Sequence, residues 1–414
     1  MEDIRRILKV NMESPFWDES YKKALAEPEV PRWLDGKFLT QMQREKNFLT
    51  KVYDRMAAAA DAVLQVKELM LLVKTLKNII AYENPENFGY HDAYVVRPYT
   101  EAFTAFELPK APEGTDPLAY ESVCVFPIVA HLVNWIELME ARGVDEDVIR
   151  KTTDYWCGAV AGDLTVPISV GLFQNYSSCI YRDELFISPM RFQLCPSYPY
   201  RIKVFANEDN DVVIMADDTK MHRSGHTWGP WKLSDEEGAY YAKVTEDETH
   251  YEGNAINQDT YLCESHTTRL PKSDWHLVYK SGDALVRIHL AGGAGFKRDL
   301  CENAINRAKE IFARCFPEYD FKGVTGYAWF MGPELIPVLK PESNLYQFRQ
   351  MFHAFPSAAG AKDSMQYIFG IHGKEPWEVD IDGLPEDNSL RRGVKEQMKK
   401  GNYIRNHGGF ILFK

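Results

Sequence analysis

The sequence is short of cysteine in any useful pattern. Seven occur in 414 residues, at 124, 157, 179, 195, 263, 301 and 315, and no two form a C-x-x-C pair. An odd, scattered set excludes a disulfide framework and a structural zinc site, so no metal is expected. Long apolar runs are missing too: nothing approaches the roughly 18 consecutive apolar residues that cross a bilayer. The opening MEDIRRILKVNMESPFW lacks the apolar centre of a secretory signal. A reduced, cytoplasmic protein with no membrane partner is therefore expected. Positive charge is in deficit: 48 Lys and Arg stand against 60 Asp and Glu, a net charge of −12. That balance excludes a nucleic-acid partner, because phosphate contacts need clustered Lys and Arg. Internal repeats and low-complexity segments are absent.

What is present is an ordinary globular composition rich in rings, 45% hydrophobic and 13% aromatic, long enough for two or three domains. Residues 1–180 read as helical. The stretch 42–82 is built of strong helix formers without Gly or Pro. Leu132, Trp135, Ile136 and Met139 follow at helical spacing and Gly143 supplies a stop. Asp145 then opens a helix carrying Val148, Thr152, Tyr155 and Trp156 on one face. Pro167 and Gly171 break the pattern. From about 186 to 290 short alternating runs appear (FISPMRFQL, YRIKVFA, DVVIMA, YYAKV, THYEGNAI, WHLVYK), with a hairpin turn at 207–211. Residues 343–352 read as a short helix with Leu345, Phe348 and Phe352 inward, 365–371 as a last strand, and 388–400 as a helix in a polar tail.

The chain is organised around 285–330. Val286, Ile288 and Leu290 alternate with Arg287 and His289 as a half-buried strand. Ala291-Gly292-Gly293-Ala294-Gly295 makes a glycine turn. Asp299 and Glu302 have capping-box spacing, and Ala304, Ala308, Ile311, Phe312 and Cys315 form one face of a helix that Pro317 ends. Residues 324–330 resume as a strand. Such a unit puts backbone N–H groups and a helix N-terminus at the mouth of the turn, where an anion is favoured. Together the pattern predicts an α+β chain: a helical domain (1–180), a mixed-sheet domain with flanking helices (181–372), and a tail (373–414) packing on the latter.

Several of these stretches resemble a known family. LFISPMRFQL (185–194), LPKSDWHLVYKSGDALVRIHL (270–290), ARCFPE (313–318), GYAWFMGPEL (326–335), SNLYQFRQMF (343–352), QYIFG (366–370) and LPEDNSLRRGVKEQMKKGN (384–402) run in order. They are similar to the GNAT-like C-terminal domain that follows a helical N-acyltransferase N-terminal domain in Gram-positive bacteria. The resemblance implies a GNAT-like fold and acyl transfer from acyl-CoA, as co-substrate, to an amine on a small molecule. It implies that strands 285–290 and 324–330 splay around the pantetheine arm, with the pyrophosphate on the turn 291–296 and the following helix. Leu290, Ala291, Gly292, Gly293, Ala294, Gly295 and Asn344 would then contact the cofactor. The turn reads A-G-G-A-G where the wider superfamily reads Q/R-x-x-G-x-G/A.

Transfer to an amine needs a base for the ammonium and an acid for the leaving thiolate. His289, one step from the turn, is the first candidate base, and packing on the non-core strand face is its other reading. Glu264, sharing a strand face with His266, is the second. Tyr346 stands where GNAT enzymes often carry an acidic tyrosine, while Ser343 and Asn344 suit a helix cap. Trp228 and Trp231, in HTWGPW with His226, line an acceptor pocket, stack on a sugar or simply cover the sheet. His222 and His226 are four apart, but the segment holds Gly and Pro and cannot be a helix, so a metal pair is not expected. The alternative to an acyltransferase is a non-catalytic small-molecule or carbohydrate-binding protein on a degenerate GNAT scaffold.

Overall fold

The computed structural model describes residues 2–10, 15–46, 53–81, 106–160, 184–290, 296–358 and 360–413. The chain divides into two compact units, one of residues 1–187 with 191–194 and 314–316, the other of 188–190, 195–313 and 317–414.

The first unit is helical: α1 (Glu2–Leu8), α2 (Pro15–Ala26), α3 (Gly36–Lys46), α4 (Tyr53–Leu64), α5 (Lys67–Ala81), α6 (Leu118–Glu121), α7 (Val125–Ala141) and α8 (Glu146–Val160). In α7, buried residues from Val125 to Met139 surround the helix, as befits a central helix rather than an amphipathic surface one. It stops at Gly143, whose φ of 75° and N–H bond to Glu140 make the left-handed C-terminal turn only glycine takes cheaply. Val148 and Thr152 of α8 are buried as the spacing predicts. Two strands complete this part, β1 (Leu185–Ile187) and β2 (Met190–Cys195). Phe186 donates its N–H to Thr152 Oγ1 at 2.8 Å and stacks on Tyr155 at 5.1 Å.

In the second unit, β3 (Ile202–Ala206) and β4 (Val212–Ala216) form the expected hairpin. Its turn is closed by the Asn207 side chain, which accepts from Asp211 N–H at 2.8 Å. A two-stranded ribbon, β5 (Thr219–Met221) and β6 (Tyr240–Ala242), follows. Then come β7 (Thr245–Glu246), β8 (His250–Asn257), β9 (Leu262–Cys263), β10 (Thr268–Pro271) and β11 (His276–Lys280). An antiparallel sheet runs β10-β8-β4-β3-β11, with β7 and β9 also paired to β8.

The mixed sheet holds the organising unit. β12 (Leu285–Leu290) crosses through α9 (Arg298–Cys315) to the parallel strand β13 (Gly323–Ala328). Ala304, Ala308, Ile311, Phe312 and Cys315 are all buried, so the helical face is as read. After α10 (Asn344–Arg349) come β14 (His353–Pro356), α11 (Ser389–Lys399) and β15 (His407–Leu412). β15 lies between β13 and β14, antiparallel to both.

Four readings are corrected. Residues 365–371 are no strand: 365–369 form a π-helical turn closed by Gly370 at φ 72°. Met365, Ile368 and Phe369 are buried and Tyr367 is 67% exposed, which is helical spacing that a short apolar run disguises. Helix α9 starts at Arg298, so Asp299 lies inside the first turn and not at the cap position; Glu302 instead pairs with Arg298 Nε at 2.7 Å. Strand β13 ends at Ala328, and 329–331 turn as a 3₁₀ helix. Glu264 and His266 lie in a bend between β9 and β10, not on one strand face.

β15 fits only because side chains are missing where the backbones close up, on its partner β13 and on β15 itself. A Cβ on Gly323 would lie 2.3 Å from the Ile411 carbonyl oxygen, and one on Gly408 2.2 Å from the Phe355 ring. Gly323→Ala is expected to destabilise the protein by about 1–3 kcal/mol, as overpacking does. The check is a lower urea midpoint with an unchanged slope.

Candidate active site

Strands β12 and β13 are in register at only two pairs, Val286–Val324 and Arg287–Thr325. Beyond them, 288–290 and 326–328 have no mutual register, while β13 stays paired to β15 as far as Ala328–His407. Two parallel strands that part after a short common stretch open a slot between their facing edges. The floor of the fork is polar. Thr325 Oγ1 donates to the Gly409 carbonyl at 2.9 Å and lies 3.1 Å from the Tyr200 hydroxyl. Burial pushes the Tyr200 phenol well above its ordinary range. Tyr198 packs on Tyr200 at 4.4 Å.

His289 and Leu290 are half-buried on the diverging end of β12. Ala291, Gly292, Gly293, Ala294 and Gly295 lie outside the described residues. Asn344 is exposed at the start of α10, and Ser343, not Asn344, caps that helix, its Oγ accepting from Tyr346 N–H at 3.2 Å. Tyr346 is half-buried on the same short helix. The Glu264 carboxylate is engaged locally, by His266 Nε2 at 3.2 Å and Asn257 Nδ2 at 3.1 Å. The three catalytic candidates thus sit on three different segments.

A denser polar cluster stands just past the open end of β13. The segment 222–226 is a tight loop, with His222 N–H bonded to the His226 carbonyl and Gly225 N–H to the His222 carbonyl, both at 2.8 Å. Gly225 takes φ 84°, and a Cβ there would meet the Cys263 carbonyl at 2.6 Å, so the loop is pinned against β9. This geometry turns His222 and His226 toward one serine. Ser224 Oγ lies 2.7 Å from His222 Nδ1 and 3.0 Å from His226 Nδ1. His226 Nε2 reaches Glu334 Oε1 at 3.1 Å.

The Glu334 carboxylate is largely covered in the turn that follows β13, and Arg405 Nη1 lies 3.6 Å from the same carboxylate oxygen. Arg405 also donates to the Trp231 carbonyl at 3.2 Å. The His407 ring stands edge-on to His226 at 5.6 Å. Burial alone would push the Glu334 carboxyl up, but the hydrogen bond from His226 brings it below its ordinary range. His222 is pushed down by burial first and by Arg223 second. A carboxylate, two imidazoles and a hydroxyl in unbroken hydrogen-bond contact can take up and pass on a proton.

Sequence reasoning missed this cluster. The H-x-S-x-H spacing was visible, but only a loop, not a helix, brings both rings to Ser224. Nothing in the sequence links it to Glu334. The aromatic loop serves the turn: Trp228 lies half-buried under Lys220 Nζ at 4.3 Å, and its main-chain N–H bonds to the Lys220 carbonyl. Among the described residues no group of three or more His, Cys, Asp or Glu is placed to hold a metal.

The family model described as GNAT-like C-terminal domain matches residues 204–411, half of the chain. The chain belongs to that family. The match spans the fork, the 222–226 loop and Glu334. No curated protein matches the sequence significantly. Among solved structures, an acyltransferase in complex with decanoyl-CoA and teicoplanin has TM-score 0.53 and 14% identity. An acyltransferase in complex with decanoyl-CoA has 0.52 and 13%, and an acyltransferase mutant in complex with octanoyl-CoA 0.52 and 14%. Each alignment covers 100% of this chain and 99% of the other. At such identities the likeness is one of fold.

Burial holds His407 down to about 3, against an ordinary value near 6.5. The folded state therefore binds fewer protons than the unfolded one, and stability is lost as pH falls below about 6.5 toward 3. His407→Gln is expected to lower stability at neutral pH and to flatten that acid decline. Urea unfolding from pH 7 to pH 4 measures both effects.

Proposed function

We propose that this protein moves an acyl group from acyl-CoA to an amine on a small molecule, as a cytoplasmic GNAT-like N-acyltransferase. The observation that carries the reading is the β12–β13 fork, a parallel pair that opens after Arg287–Thr325 with α9 beginning beyond its open end. Structures of the same fold hold decanoyl-CoA and octanoyl-CoA. In this reading Leu290, Ala291, Gly292, Gly293, Ala294, Gly295 and Asn344 attend the CoA, and the pantetheine arm lies between the parting strands. His289, Glu264 and Tyr346 are proton-handling candidates around the slot, and the loop 222–226 with Glu334 adds a built relay.

The neighbour solved with teicoplanin suggests an amine carried on a larger natural product as one acceptor class. A second reading, a binding protein without turnover, is favoured by one feature. Asp299 places a carboxylate in the first turn of α9, where it opposes a diphosphate.

Thermal stabilisation separates the two. Acyl-CoA at about 100 times its Kd adds ~2.7 kcal/mol, so decanoyl-CoA is expected to raise the melting temperature more than free CoA. No shift with any CoA species would sink the transferase. If His289 is the base, His289→Ala lowers turnover by ~100-fold with little change in melting; unchanged turnover with lower melting makes it a packing residue.

A further inference from the structure

We propose that Ser224 is the group that meets the acceptor amine, passing the ammonium proton to His222 while His226 and Glu334 hold its oxygen in place. The inference rests on the transferase reading and names the part of the relay that touches substrate.

Accessibility comes first. Ser224 is exposed, whereas His222 is buried and the side chains of His226 and Glu334 are only 12% and 8% exposed. Both nitrogens of His226 are already engaged, one by Ser224 and one by Glu334. A ligand arriving from solvent meets the hydroxyl before it meets a nitrogen of that ring.

The partners then fix the direction of two of these hydrogen bonds. The Ser224 main-chain N–H donates to His222 Nδ1 at 3.1 Å, so that nitrogen carries a lone pair and accepts the Ser224 hydroxyl at 2.7 Å as well. In the proposed arrangement Ser224 Oγ accepts from His226 Nδ1–H, and His226 Nε2–H, facing a carboxylate that can only accept, donates to Glu334. One lone pair of Oγ remains, on the solvent side. It is placed to accept a proton, and the hydroxyl proton already points at a neutral imidazole.

In the step that follows, an ammonium N–H proton moves to Oγ and the Oγ proton moves to His222 Nδ1, from which it leaves to solvent. The freed amine lone pair forms the N–C bond at the thioester carbonyl. The C–S bond breaks with its electron pair on the CoA sulfur, and the nitrogen's second proton goes to that thiolate. The location suits the step. His407, against the His226 ring, pairs with Ala328 at the open end of β13, and Glu334 lies in the turn just after it.

The test compares two acceptors with decanoyl-CoA as donor. Ethylamine is protonated at neutral pH and needs the relay; hydroxylamine is largely unprotonated and does not. Ser224→Ala should cut ethylamine acylation by ~100-fold and hydroxamate formation by no more than a few-fold, with the decanoyl-CoA melting shift retained. Ser224→Thr, which keeps the hydroxyl, should restore most ethylamine turnover. Equal loss of both products, near wild-type ethylamine turnover in Ser224→Ala, or a decanoyl adduct on Ser224 by intact mass would each overturn the assignment. Wild-type protein that makes neither product brings down the transferase reading, and this role with it.

Discussion

A carboxylate buried in the turn after β13 is the constraint on which the candidate site depends. An ionised group taken out of water is tolerated only when it is paired and hydrogen-bonded. Glu334 meets that demand through Oε1, which His226 from the loop after β5 hydrogen-bonds and Arg405 from the approach to β15 pairs in charge. The three segments are therefore fixed to one another by one charge. Removing either partner would leave the other side of the pair buried and uncompensated, which costs more than the pair itself is worth. Arg405 extends the tie to the Trp231 carbonyl, so the aromatic loop is held by the same group.

That constraint has a second effect, on acidity. The two histidines beside Ser224 have different surroundings: His226 faces a carboxylate, while His222 is buried next to Arg223 and pushed down. Titratable groups whose environments differ in this way can take different parts in one proton transfer. The loop that carries them is rigid because Gly225 accepts a positive φ and lets the Cys263 carbonyl approach.

Much of the fold was legible because it depends on local pattern. The period of Val286, Ile288 and Leu290, the glycine turn and the helical face from Ala304 to Cys315 describe a β-α-β unit in one continuous stretch. What was not legible depends on partners far along the chain. β15 reads HGGFIL, and its two glycines look like a loop until β13 and Phe355 close over them. The run 365–371 has apolar residues for either period, and packing, which sequence does not show, chose the helical turn. The site divides the same way. His289 follows from its strand, whereas the Ser224 cluster needs a loop geometry and a glutamate 108 residues away from His226.

The fork and the start of α9 do not carry equal weight in the transferase reading. A helix N-terminus favours any anion, and Asp299 already supplies one in the first turn, where it stabilises the helix itself. A diphosphate there would gain the helix dipole and lose to the carboxylate, so this feature alone cannot distinguish a CoA enzyme from a scaffold that has given up the cofactor. The parting of β12 from β13 is different. Where two parallel strands part, an extended amide-bearing arm is a chemical match for the edges on either side of the opening. β13 cannot close the gap by sliding, because six register pairs tie it to β15 on its other side. The opening is thus built into the strand order, which is why the reading rests on the fork.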